Sequence, residues 1–345
     1  MQEKALGSEH PAVAESLIHR ATLLESQGSY QEAEPLMKQS LTIRRKTLGP
    51  DHPLVAEVLN NWAGLLTKQG KFDEAEPLYS SMYARMAVFE KNLGYEHPCV
   101  AKAFNNWAGV LKKQGKYSEA GPLYARAVAI AEKALSPDHP DLAFFLYNWA
   151  ELFKAQGEYA EAQALYVKSH ATREKVLGPD HRFVADSLNG SAELLRLQGK
   201  FDEAEPLCVK AIAIGEEALG PDHPVLAEYL DNRAELLRMQ GNHAEAQPLC
   251  ERSLAIRERM LGPEHPDVAQ SLNNRALLLE SQGKHNDALP LLERASSIRR
   301  KKLGENHHCT VDTQISLERV QKYVGEQETN TGPRGTKHPE EAWYY

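Results

Sequence analysis

Residues 219–260 read LGPDHPVLAEYLDNRAELLRMQGNHAEAQPLCERSLAIRERM, and the same 42-residue unit recurs along almost the whole chain. Its Asp/Glu-His marker falls at His10, His52, His97, His139, His181, His223 and His265, with a worn copy at His307. Its Gln-Gly marker gives Gly28, Gly70, Gly115, Gly157, Gly199, Gly241 and Gly283, with Gly325 in the matching place of the last copy. Every step is 42 residues except the one from His52 to His97, which is 45. A fixed period in this range marks a stacked repeat array and not an ordinary globular domain.

Within the unit, Leu226, Ala227, Leu230, Ala234, Leu237 and Met239 are spaced by threes and fours, so residues 225–240 form a helix with one apolar face. Asp222 before Pro224 is a start signal, since a short acceptor caps free amides and proline suits the first turn. Gly241 is the stop. A second helix, residues 243–260, buries Ala246, Leu249, Cys250, Leu254 and Ile256 and ends at Gly262-Pro263. Each unit is thus a helical hairpin.

Two positions do not vary within the chain. Ala21, Ala63, Ala108, Ala150, Ala192, Ala234 and Ala276 mark the first helices; Ala33, Ala75, Ala120, Ala162, Ala204, Ala246 and Ala288 mark the second. Small residues there let paired helix axes approach closely. Leu36, Leu78, Leu123, Leu165, Leu207, Leu249 and Leu291 fill the space between hairpins, and in six of seven copies a proline two residues after the second alanine bends the helix early without breaking it, Ala164 being the exception. These paired helices, with their Gly loop and EA-PL signature, resemble the tetratricopeptide repeat. The LGPDHP–LNN–A–LL–QGK–EAEPL form is similar to the 42-residue repeats of kinesin light chains. The resemblance covers about residues 1–325 and implies an all-α fold: a right-handed superhelix of seven hairpins plus a C-terminal capping helix, with a concave groove lined by the first helix of each pair.

Composition bounds the function. The chain has 345 residues and formal charge −8 with both signs interspersed, which argues against nucleic-acid binding. No 18-residue apolar run or charged-then-apolar leader is present, so we expect no membrane span and a cytoplasmic location. Cys208 and Cys250 occupy equivalent places where other copies have Met37, Tyr79, Tyr124, Tyr166 and Leu292, which suits buried fillers better than a disulfide. The histidines lie one repeat apart and cannot converge on one metal ion, so each is read as tying the inter-repeat loop to the next helix. No phosphate loop, nucleophile elbow or His-Glu-x-x-His motif occurs, so we expect no enzyme, cofactor or metal.

The sequence divides into residues 1–9 (the end of a preceding repeat helix), 10–325 (the repeat array) and 326–345 (a tail with no helical period, expected to be disordered). The extra three residues fall between about Tyr79 and Arg85 and should distort the superhelix locally. The eighth copy keeps only a first helix, about residues 310–324, whose outer face is polar as a cap requires. The closing EEAWYY is similar to the tryptophan-acidic peptides that light-chain grooves accept, which opens a self-ligand reading beside plain disorder.

The resemblance also implies the binding residues. Groove-lining asparagines open each Asn-Asn pair: Asn60, Asn105, Asn189 and Asn273, with Ile18, Tyr147 and Asp231 in the departing copies. Carboxamides offer donor and acceptor together and can hold an extended peptide by its main chain. Seven residues further on, Lys112, Lys154, Arg196 and Arg238 form a basic run, and Lys68 and Lys113 add charge. Either this run favours an acidic peptide, or Glu151, Glu193 and Glu235, three residues earlier, neutralise it as ordinary helix pairs. Beside the asparagines stand Trp62, Trp107 and Trp149, or Arg20, Arg233 and Arg275, as core fillers or half-exposed anchors. The expected function is a non-enzymatic scaffold or adaptor binding extended, possibly acidic, peptides. Alternatives are a sensor fragment of a larger signalling NTPase and a light-chain-like cargo adaptor. A motor heavy chain is not an expected partner without a coiled coil.

Overall fold

The computed structural model describes residues 10–26, 29–84 and 97–331. Among them are fifteen helices and no strand. They pair as α1 (Pro11–Ser26) with α2 (Tyr30–Leu48), α3 (Pro53–Lys68) with α4 (Phe72–Ala84), and α5 (Pro98–Lys113) with α6 (Tyr117–Ala134). Next come α7 (Pro140–Gln156) with α8 (Tyr159–Leu177), α9 (Arg182–Leu197) with α10 (Phe201–Leu219), and α11 (Pro224–Met239) with α12 (His243–Leu261). The last hairpin is α13 (Pro266–Ser281) with α14 (His285–Leu303), and α15 (His308–Thr331) follows alone.

The helix starts correct one expectation. The N-cap is the histidine, not the acid before it. His52, His97, His139, His181, His223, His265 and His307 each accept the amide N–H two residues on through Nδ1, at 3.1–3.2 Å. With proline at the first helical position in most copies, the free amide two residues past the cap is within imidazole reach. Asp222 instead pairs with Arg259. The stop is as expected: Gly241 has φ +81°.

Packing follows the repeat. All fourteen fixed alanines are at most 1% exposed, so the crossings are close. Met37, Tyr79, Tyr124, Tyr166, Cys208, Cys250 and Leu292 are buried as fillers, and both cysteines are free thiols. Burial pushes the Cys208 and Cys250 thiols up to about 12. Met239, assigned to the apolar face from its spacing, is 43% exposed, and Leu236 is buried in the core. A further element links successive hairpins. Arg44, Arg173, Arg257 and Arg299 are buried on the second helices, and each donates to a carbonyl ten residues on, at 2.7–2.9 Å. This satisfies the cation and fixes one hairpin on the next.

The ends differ from the middle. In α15, Glu318, an exposed residue, stands where seven copies have the close-crossing alanine. The helix also runs on to Thr331, seven residues past the expected Val324. The stretch expected to hold the three extra residues, from about Tyr79, is helical as far as Ala84, the end of α4; the residues that follow it, 85–96, and EEAWYY, past 331, lie outside the described residues.

The superhelix coils tightly enough for successive turns to touch. His265, the cap of α13, reaches the last carbonyl of α3, with Nε2 2.8 Å from the Lys68 oxygen. His307, the cap of α15, reaches the last carbonyl of α5 in the same way, 2.8 Å from the Lys113 oxygen. Because Nδ1 of each ring accepts the capping amide, Nε2 carries the proton and donates across the gap. The negative end of one helix therefore meets the positive start of another. Pro266 packs on Gly70, where an added Cβ would lie 2.6 Å from its Cδ, and Tyr117 Oη meets His308 Nε2 at 3.3 Å. Repeats five apart are thus in contact, and the concave side lies within the coil as a lumen. Each hydrogen bond contributes roughly 0.5–1.5 kcal/mol.

Candidate peptide-binding groove

The first helices carry the lumen side, and their asparagines split into two roles. Asn60, Asn105 and Asn189 are 6%, 1% and 1% exposed, so the opening carboxamides belong largely to the wall. Each accepts from the second asparagine of the following repeat: Asn106 to Asn60 at 3.1 Å, Asn148 to Asn105 at 3.0 Å, and Asn232 to Asn189 at 3.1 Å. Asn273 is half-buried and accepts from Thr313 instead, at 3.3 Å. The openers are therefore rungs between hairpins. The second asparagines (Asn61, Asn106, Asn148, Asn232 and Asn274) are half-buried and so keep part of their carboxamides open to solvent. This pairing between repeats has no signal within one repeat.

The departures are compensated. Tyr147 replaces an opener, and Gly190 in the next repeat leaves it room: a Cβ there would lie 3.2 Å from the Tyr147 ring and 2.9 Å from that of Tyr166. Asp231 replaces another and is held by the buried Arg257 at 2.6 Å and by Ser271 at 3.0 Å. Trp62, Trp107 and Trp149 pack partly buried against the core clusters. Arg233 reaches Glu205 at 2.8 Å, and Arg275 reaches Glu251 at 3.5 Å, each on the preceding second helix.

The basic run is an alternating chain of charge. Lys112 lies 3.6 Å from Glu151, and Lys154 bridges Glu151 at 2.8 Å and Glu193 at 2.5 Å. Arg196 sits between Glu193 at 3.9 Å and Glu235 at 4.0 Å, and Arg238 grips Glu235 with two bonds of 2.7 Å. Burial disfavours the Glu151 carboxylate, but Lys154 and Lys112 outweigh it and hold the group down at about 2. Burial lowers Lys112, which Glu151 only partly offsets. From Lys154 to Arg238 the run offers no surplus of positive charge, and the mixed-charge alternative describes it.

Repeats one to four differ. Asn60, Asn61, Asn105, Asn106 and Asn148 share a cleft of about 460 Å³ with Glu25, Lys68, Lys102, Lys112 and Lys113. Four lysines face one glutamate there, and Lys68 is tied to that glutamate at 2.6 Å. Five predicted residues (Asn60, Asn105, Lys68, Lys112, Lys113) thus meet in one place. Lys154 joins Lys112 and Lys113 in a neighbouring cavity of about 380 Å³. Asn189, Asn273, Arg196 and Arg238 line neither cleft. A cluster of carboxylates on the neighbouring first helices surrounds Glu228. Burial, with Glu151, Asp186 and Glu193 around it, pushes the Glu228 carboxyl up to about 7, although its side chain is open to lumen water.

Three solved structures are similar in fold. A tetratricopeptide repeat protein from Parabacteroides merdae is 22% identical, covering 90% of this chain and 99% of its own, with TM-score 0.50. The Rap protein complexed with competence and sporulation factor is 13% identical over 92% of this chain and 100% of its own, with TM-score 0.53. A putative kinesin light chain with nearly identical repeats from Podosopora anserina is 27% identical over 59% of this chain and 97% of its own, with TM-score 0.46. No curated protein matches the sequence. Tetratricopeptide repeat models match residues 12–87, 141–207, 183–259, 229–301 and 267–329, and a second such model matches 100–141. With its hairpins, fixed alanines and repeat matches running nearly end to end, the chain belongs to the tetratricopeptide repeat family.

Proposed function

We propose that the protein is a non-enzymatic scaffold that holds an extended, acidic peptide segment of a partner protein in the lumen at repeats one to four. Tetratricopeptide repeat proteins are in general protein-interaction scaffolds. The observation that carries the finer reading is the cleft in which second-asparagine carboxamides stand beside Lys68, Lys102, Lys112 and Lys113. A carboxamide bonded once to its neighbour retains donor and acceptor capacity for a peptide main chain. Lysines set the sign of the side chains that follow, and Lys112, lowered by burial, gains most from an incoming carboxylate. No described helix is long and apolar enough to cross a membrane. The free cysteines fit a reducing compartment, and we place the protein in the cytoplasm.

The test is a labelled peptide array followed by anisotropy titration. Acidic peptides should be selected, and Lys113→Glu should weaken them about 10- to 100-fold, the value of one charged hydrogen bond. Arg238→Glu, far from the cleft, should leave affinity within about two-fold. Selection of basic or neutral peptides, or equal loss in both variants, would refute the acidic-peptide reading.

A further inference from the structure

We propose that the contact between superhelical turns is a latch: His265 and His307 hold the lumen shut, and a bulky ligand enters or leaves only when they part. This rests on the peptide reading for its purpose but not for its existence.

Three observations support it. The contact is small and polar, two imidazole–carbonyl bonds and the Tyr117–His308 pair, with Pro266 packed on Gly70. Hairpins, by contrast, are joined by continuous apolar clusters. A separable contact of this kind can open while the stack stays folded. Second, the same histidine position distinguishes closing from open copies. His265 and His307 each reach a carbonyl of the other turn through Nε2, at 2.8 Å, whereas the His139 side chain is 38% exposed; burial alone does not mark the pair, since His223 is 8% exposed. Third, the cavity of about 380 Å³ is lined from both turns, with Lys113 and Tyr117 from one and Asp267, Arg299 and His308 from the other. A ligand seated there touches both turns, so its presence favours closure and closure slows its exit.

Access can be measured without any peptide. Leu197 is 39% exposed and lines this cavity. Leu197→Cys in a Cys99→Ser, Cys309→Ser background places one reactive thiol in the lumen, the remaining cysteines being buried. Its reaction with a 5-kDa-class (about 5 kDa) polyethylene glycol maleimide, relative to N-ethylmaleimide, reports entry of bulk, since only the larger reagent needs the turns to separate. Asparagine caps helices as well as any residue but is too short to cross the gap. His265→Asn with His307→Asn should therefore raise that ratio about 5- to 30-fold, the value of one to two kcal/mol of lost closure. His139→Asn with His181→Asn should leave it unchanged. Equal ratios in all three proteins, whether fast or slow, would overturn the latch. Peptide affinity enters neither arm, so a failed acidic-peptide reading and a failed latch are told apart.

Discussion

The loops after α3 and α5 and the loops after α7, α9 and α11 share the Gln-Gly sequence and the left-handed glycine, yet they do opposite things. Gly70 and Gly115 lie against Pro266 and His308 of the next superhelical turn, while Gly157, Gly199 and Gly241 have nothing within 4 Å of an added Cβ. One local conformation ends a helix everywhere; superhelical coiling decides which copies become contacts. In a repeat array whose units otherwise touch only their neighbours, the exceptions are therefore where long-range coupling resides.

The sharpest way to break this comparison is a pair of identical substitutions. Gly70→Ala and Gly199→Ala meet the same backbone, at φ +71° and +75°, and share a cost of roughly 1 kcal/mol. At Gly70 the methyl also strikes Pro266, adding about 1–3 kcal/mol. Urea midpoints should fall clearly further for Gly70→Ala; equal midpoints would mean that the turns do not touch in solution.

A smaller effect separates rung from recognition. Asn105→Ala removes a buried acceptor from Asn148 and should cost about 1–3 kcal/mol in urea unfolding. Asn148→Ala removes a half-buried group and should cost less, while weakening bound peptides more. The reverse order would return the opener to the recognition role that the family resemblance gave it.

The smallest effect sets this carboxylate cluster against the lysine cleft. Its surroundings push the Glu228 carboxyl up to about 7 from 4.5, so the stability it contributes is full below about 4.5 and is lost as pH rises to about 7. Glu228→Gln should therefore be the more stable protein at pH 8 and about equal at pH 4. Screening at this water-exposed position limits the gain to on the order of 1 kcal/mol. Thermal unfolding that shows the same difference at both pH values would contradict the assignment.

Much of the fold was legible because a stacked array repeats its constraints. The stop at Gly241 follows from one hairpin read alone, and the fixed alanines and the fillers at Tyr79 and Cys208 follow from laying the copies over one another. What a single unit hides is pairing between units. The exchange of Asn105 with Asn148 looks like two exposed asparagines. The Arg257–Ser271 pair becomes Gly215–Tyr229, where a Cβ on Gly215 would lie 2.9 Å from the tyrosine ring, and Ala131–Phe145 in another copy. That exchange of arginine with a small hydroxyl for a small residue with an aromatic was written in the sequence, but only as a correlation across a 14-residue offset. For the basic run the sequence offered pairing within one helix, while Lys154 is also paired from the next repeat by Glu193. The contact of His265 with Lys68 had no local signal at all, since it depends on the angle accumulated over five repeats.

Closure of the superhelix is the claim on which the lumen depends. Gln31 and Glu264 are both exposed and line opposite sides of one cleft between turns, so spin labels there report on it directly. With Cys99 and Cys309 replaced by serine, pulsed dipolar spectroscopy of the Gln31→Cys, Glu264→Cys protein should give one narrow, short distance that broadens and lengthens with His265→Asn and His307→Asn. A broad, long distribution in the protein with both histidines intact would show an open spiral and contradict the account.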